Sequence, residues 1–224
     1  MRFRNSRFER LTHKAPGLAG GYLLSWLVVQ AGGWATAALK ELPEFAVRDR
    51  PVNVVFSMKH HGVQPLRELT LHIVAKHAAS EKQQRFTVSE LGDGFYTSEL
   101  VFPSLGFWEW EIETAWPGPA ALPPIEVIES SAVSVHETTR HQRGANLFVA
   151  KGCVQCHRNA RIQLDNVQSI EIGPDLTGYS ATPQFLQLWL QDPKSVRPKT
   201  TMPDQNLSME EMSALTVFLL KETD

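Results

Sequence analysis

The sequence predicts a two-domain protein, an all-β sandwich followed by an all-α domain, and three observations predict it. Short runs rich in β-branched and aromatic residues recur between turn signals from residue 33 to about 129. From Arg143 onward the pattern changes to helical periodicity with helix-capping residues. Just inside that second region stands the pentapeptide Cys153-Val154-Gln155-Cys156-His157. The chain has 224 residues, enough for two modest domains, and its 42% hydrophobic and 21% charged content is that of an ordinary globular protein. With a formal net charge of −2, nothing in the charge balance argues for a nucleic-acid partner.

The chain opens on a basic leader: Arg2, Arg4, Arg7, Arg10 and Lys14 are set against Glu9. An apolar run from Leu18 to Ala31 follows and closes on Val29-Gln30-Ala31, a small-x-small pattern suited to cleavage. Residues 1–31 therefore read as a secretory signal peptide. The run falls short of the roughly 20 residues that span a bilayer. The rival reading extends it through Gly32–Leu39 as a membrane anchor with its basic end inside. Both readings put the remainder of the chain outside the cytoplasmic membrane, either in the periplasm or on the membrane's outer face.

Residues 32–129 form the expected β domain. Trp34–Leu39 serves as its first strand, and Val52–Met58, Leu69–Val74 and Phe86–Val88 are further strands. Trp108-Glu109-Trp110-Glu111-Ile112-Glu113 alternates most clearly, with both tryptophans and Ile112 on one face and three glutamates on the other. Pro103-Ser104-Leu105-Gly106 separates it from Phe95–Phe102, which predicts a hairpin between the two runs. Turn signals at Gly62, Pro65, Gly92-Asp93-Gly94 and Pro117-Gly118-Pro119 give the spacing of an immunoglobulin-like antiparallel sandwich. The segments Lys40–Phe45, Pro51-Val52 and His61–Leu66 also resemble the small extracytoplasmic YtkA-like domains of that architecture.

Met58, His60, His61, His72 and His77 suit copper by donor type. Their placement favours ordinary structural roles, since His60 and His61 would point to opposite faces if both lie on a strand, and they directly precede a turn at Gly62. The tryptophan stripe reads as sandwich core, and the domain as a docking or spacing module.

Residues 130–142, dominated by Ser and Thr, read as a linker long enough to let the following domain reorient. Residues 143–224 form the helical domain: a helix over Gly144–Lys151, a second over Pro183–Leu190 ended by Asp192-Pro193, and a last one opened by the capping box Ser208-Met209-Glu210-Glu211. Met212, Leu215, Phe218 and Leu219 share one face of the last helix, and Met209 and Met212 are expected in its core.

Cys-x-x-Cys-His is the attachment sequence of a c-type haem: two thiols three positions apart can each take one vinyl group, and the adjacent histidine can reach the iron. A thioredoxin-like redox pair needs a βαβ context that is not visible here. A zinc site lacks a second Cys/His pair at finger spacing. A disulfide would close too small a loop to stabilise much. Downstream come Gly173-Pro174-Asp175-Leu176-Thr177-Gly178 and Thr201-Met202-Pro203.

With these elements in this order, the region from Gly144 to about Glu222 resembles a class I (monohaem) cytochrome c domain. The resemblance implies one covalent haem c held through Cys153 and Cys156, with His157 as proximal and Met202 as distal iron ligand. It also implies that the Pro174 carbonyl accepts a hydrogen bond from His157, and that the first and last helices cross at Gly144, Phe148 and Phe218. Leu176, Tyr179, Leu188, Trp189 and Leu190 are expected to line the haem pocket or its supporting core. Met202 lies in an irregular Pro-flanked stretch, and no histidine follows His157, so a distal histidine would have to come from His136, His141 or the sandwich.

The expected function is single-electron transfer with no chemistry of its own, between a redox donor and an acceptor such as a membrane oxidase or reductase complex. Membrane association would come through the N-terminus. A haem-based ligand sensor and a copper-handling protein with a haem electron supply are the alternatives. Eight Lys/Arg against nine Asp/Glu from Arg143 to the end leave the haem domain near neutral, so docking there does not call for a strongly basic rim.

Overall fold

Alternating β-rich segments bury one face each, and two such faces close on one another. The computed structural model describes residues 35–114, 120–135, 138–164, 170 and 172–221; the leader expected over residues 1–31 lies outside them. The strands are β1 (Ala35–Leu39), β2 (Ala46–Val47), β3 (Pro51–His60), β4 (Gln64–Pro65), β5 (His72–His77) and β6 (Gln83–Thr87). They continue as β7 (Ser89–Gly92), β8 (Phe95–Val101), β9 (Gly106–Glu113), β10 (Ala120–Ala121) and β11 (Ile125–Ile128). One sheet runs β1-β3-β8-β7 with β4 beside the end of β3. The other runs β2-β11-β9-β5-β6 with β10 beside β9. The pairings are antiparallel except β2 with β11. The result is an immunoglobulin-like sandwich.

The inward faces carry Phe56, Tyr96, Leu100, Phe102, Trp108, Ile73 and Ile112, all essentially inaccessible. Their polar atoms are satisfied: Trp108 Nε1 donates to Ser104 O at 2.9 Å, Trp110 Nε1 to Pro123 O at 2.7 Å, and Tyr96 Oη to Leu66 O at 2.9 Å. The expected hairpin between β8 and β9 is not formed, because these strands lie in opposite sheets. Tyr96, Ser98 and Leu100 on β8 and Trp108, Trp110 and Ile112 on β9 are inward stripes that meet across the core rather than side by side. Pro103 has no N–H for a ladder, and Gly106, at φ +102°, lets the chain arch over. His77 pins this arch: Ser80 N donates to its Nδ1 at 3.0 Å, so Nε2 carries the proton and donates to Leu105 O at 2.8 Å.

After β11, Ser130–Val135 forms 3-10 turns, and α1 (Arg140–Ala150) begins inside the segment expected as linker. Its earlier start has a local cause: the Thr139 hydroxyl accepts from Gln142 N at 3.1 Å and caps the helix. Then follow α2 (Cys153–Cys156), α3 (Pro183–Gln191), α4 (Pro193–Val196) and α5 (Met209–Leu220). Helix α3 is capped by Thr182 with Pro183 in its first turn. Helix α5 has the expected capping box, Glu211 N to Ser208 Oγ at 3.2 Å and Ser208 N to Glu211 Oε2 at 3.0 Å. Met212 is buried in the helical core as expected, but Met209 is 71% exposed, because the first helical position precedes the turn of α5 that faces α1.

Helices α1 and α5 cross at Gly144, as expected. A Cβ there would overlap the Ala214 carbonyl oxygen and stand 2.7 Å from Phe218 Cβ. Phe148 and Phe218 pack alongside with ring centroids 5.8 Å apart. Gly→Ala in an exposed helix gains roughly 0.5–1 kcal/mol, whereas overpacking a tight contact costs about 1–3 kcal/mol. Backbone is the obstacle here, so the second effect wins. Gly144→Ala should lower stability by about 1–2 kcal/mol in denaturant unfolding. A variant as stable as the parent would show that the helices can separate at this point.

Candidate functional site

The site is built on the turn that follows α1. Gly152, at φ +75°, reverses the chain, and α2 then presents Cys153 and Cys156 on a single helical turn. Both cysteines are free and half-buried. Burial pushes the Cys153 thiol up to about 12 and the Cys156 thiol up to about 11, so both remain protonated at neutral pH. His157 follows in extended conformation, with its N–H still bonded to Cys153 O at 2.8 Å, which swings its ring out of the helix.

A returning segment is laced against this turn. Ile170 N donates to Gln155 O at 3.0 Å, Gly173 N to Cys156 O at 2.9 Å and Leu176 N to Arg158 O at 2.8 Å. Arg158 Nη1 pairs with Asp175 Oδ2 at 2.9 Å, and Ala160 N donates to Thr177 Oγ1 at 2.9 Å. The Thr177 hydroxyl and N–H, which donate to Asp175, hold its carboxyl below the usual carboxylate range, with Arg158 adding a smaller effect. This lacing carries Pro174 O to 2.9 Å from His157 Nδ1. Nδ1 then donates to the carbonyl, and the lone pair of the ring is directed through Nε2. A carbonyl acceptor at this position fixes the ring and makes the imidazole more electron-donating.

Gly173, which sequence reasoning quoted but gave no role, makes this possible. A Cβ there would overlap the Cε1 of His157 and stand 2.9 Å from its Nε2. The signal that could have found it is its place directly before Pro174.

Met202 is half-buried and packs against the helical core together with Leu176 and Tyr179. Trp189 Nε1 donates to Met202 Sδ at 3.0 Å, a contact not foreseen from sequence. Burial raises the Tyr179 hydroxyl above its ordinary range. Of the α3 residues, Leu190 belongs to the core, Trp189 is half-buried and Leu188 is 57% exposed. His141 is packed edge-on to Phe218, ring centroids 5.5 Å apart, and His136 lies outside the described residues.

The residues fit a covalently attached haem. Two thiols share one turn beside an imidazole whose Nδ1 is already engaged, a glycine cradle seats that imidazole, and a thioether stands among apolar side chains. The histidines of the sandwich form a different picture. His60 and His61, expected on opposite faces, are stacked with centroids 3.9 Å apart, because His61 has left the strand at φ +52°. His72 Nδ1 faces Arg85 Nη2 at 3.1 Å. Among the described residues no group of three or more His, Cys, Asp or Glu is placed to hold a metal ion.

Residues 141–222 match the family model Cytochrome c. The chain is thus a β-sandwich followed by a helical domain that matches the cytochrome c family over residues 141–222. No curated protein matches the chain. Among solved structures it is similar to the Lin-41 filamin domain, at 8% identity and TM-score 0.35, covering 42% of this chain and 93% of that one. It is also similar to the Escherichia coli adhesin FdeC, at 20% identity and TM-score 0.32, covering 42% and 31%. A third is superoxide reductase (neelaredoxin) from Ignicoccus hospitalis, at 15% identity and TM-score 0.31, covering 45% and 87%.

The cradle generates a test. Gly173→Ala should displace the His157 ring and destabilise the haem domain by about 1–3 kcal/mol. Denaturant unfolding followed at the haem absorption band measures it, and an unchanged midpoint and spectrum would show that the ring does not rest on Gly173.

Proposed function

We propose that this chain carries single electrons outside the cytoplasmic membrane through one haem c, bound covalently by Cys153 and Cys156 and ligated by His157 and Met202. The observation that carries the reading is the Pro174 carbonyl at 2.9 Å from His157 Nδ1, which leaves Nε2 as the ring's donor beside two thiols. When bound, the haem supplies a reversible one-electron couple. The residues of the chain set its character. His157 and Met202 would hold the iron of such a haem, and a thioether sulfur would favour its ferrous state. The lacing between residues 155–160 and 170–177 limits movement of the proximal ring between the two redox states. Trp189 N–H occupies one lone pair of Met202 Sδ and leaves the second for iron.

Extracytoplasmic location rests on the apolar leader and on the compartment in which haem is attached. Among the described residues no helix is long and apolar enough to cross a membrane. The partners are redox proteins, a donor and an acceptor of the membrane oxidase or reductase kind. The near-neutral haem domain favours docking by shape and apolar contact over strong charge steering.

The first test is the absorption spectrum of the extracytoplasmically expressed protein, oxidised and reduced, beside Met202→Ala. A low-spin spectrum with a weak long-wavelength sulfur-to-iron band that vanishes in the variant is the expected result. Absence of that band in the parent, or a five-coordinate ferrous form that takes up carbon monoxide at once, would remove the carrier reading in favour of a ligand sensor.

A second test reads Trp189. Removing its N–H makes the sulfur a better donor to ferric iron, so Trp189→Phe should lower the reduction potential. A hydrogen bond worth about 0.5–1.5 kcal/mol corresponds to a fall of roughly 20–65 mV for one electron. A potential that stays or rises would show that the indole does not act on the sulfur.

A further inference from the structure

The attachment turn has a second occupant, the free edge of the sandwich. Strand β1 is the terminal strand of its sheet, pairing with β3 on one side. On the other side Ala37 turns its N–H and C=O toward Gln155, the residue between the two cysteines. Ala37 N donates to Gln155 Oε1 at 3.0 Å, and Gln155 Nε2 donates to Ala37 O at 3.1 Å. A side-chain amide thus does for this edge what the backbone of a further strand would do. Gly152 lets the turn come close enough, since a Cβ there would stand 2.8 Å from Ala37 O.

Around this pair charged groups are matched. Lys151, only 4% exposed, donates from Nζ to Lys40 O at 2.8 Å and pairs with Glu211 Oε1 at 2.7 Å. Arg143 pairs with Glu44. Ala150 at the end of α1 belongs to the sandwich core, and Leu42 packs against both cores.

We propose that the sandwich is a permanent intramolecular clamp on the haem-attachment turn, and that Gln155 is the positioning residue that registers this turn on β1. The two domains move as one body. Because Gln155 sits between Cys153 and Cys156, the clamp sets the orientation of the turn that carries both. With β1 covered, an outside partner that adds a strand has to use another edge. The inference uses the assignment of the Cys153–His157 turn as haem-bearing, but the domain contact does not depend on Met202 or on electron transfer.

The experiment uses the full holoprotein, reduced so that paramagnetism does not intervene, and reads amide hydrogen exchange and ¹⁵N relaxation. In the parent the Ala37 amide should be protected although it faces away from β3, and both domains should report one rotational correlation time. In Gln155→Ala the protection of Ala37 should be lost while the neighbouring amides bonded to β3 keep theirs. Lys151→Met, which leaves Gln155 in place, should loosen the same contact and split the correlation times. Two separate correlation times in the parent would overturn the clamp. An Ala37 amide that exchanges equally in parent and Gln155→Ala would overturn the role of Gln155. The absorption spectrum of the same samples keeps the two readings apart: a missing sulfur-to-iron band with a single correlation time would sink the carrier reading and leave the clamp standing.

Discussion

Contact of α1 with α5 through bare backbone at Gly144 is the constraint on which the haem domain depends. A glycine at the crossing brings α1 against the Ala214 carbonyl and the root of the Phe218 side chain. Gly152, at φ +75°, ends α1, and the attachment turn begins directly there. The chain beyond the turn is tied to the same helix. Arg161 lies over the Phe218 ring at 4.3 Å and donates to the carbonyls of Phe218 and Leu219 at the end of α5. The Phe218 carbonyl also accepts from the N–H of Lys221 at 3.4 Å, so Arg161 adds a second donor at the frayed end of the helix. One helix therefore anchors both the approach to the site and the departure from it.

Between these anchors, among the described residues, the site has one short helix, α2, and its precision comes from individual bonds. Residues 170–177 are held to residues 155–160 by backbone hydrogen bonds and by the Arg158–Asp175 pair, which is exposed and contributes little by itself. The neighbouring backbone bonds supply the register. Their combined effect is to hold the His157 imidazole by its Nδ1. For an electron carrier this economy is suitable, because the protein has only to hold the cofactor in a surrounding that changes little between redox states.

Much of this was legible in the sequence because the relevant signals are local. Cys153, Cys156 and His157 declare themselves within five residues, and Ser208 with Glu211 declares a helix start. The alternation of Trp108, Trp110 and Ile112 gave their common face correctly, since the side-chain period of a strand is built into its backbone. Strand partners were not legible. The hairpin expected of β8 and β9 fails because alternation says which side of a strand is apolar but not which neighbour completes the sheet. Likewise the Ser/Thr-rich segment before α1 looked like free linker, when its last threonine is a helix cap.

By itself the sequence determined the class of each domain, the Cys153–His157 attachment motif and the start of the last helix at its capping box. These follow from spacing along the chain and from the donor types of side chains. Tertiary structure alone decided that the two sheets share β8 and β9 between them, that Trp189 meets the Met202 sulfur, and that Gln155 meets Ala37 across 118 positions of chain. Contacts of that kind depend on how whole elements pack in three dimensions. A glutamine between two cysteines carries no mark of the strand edge it will face.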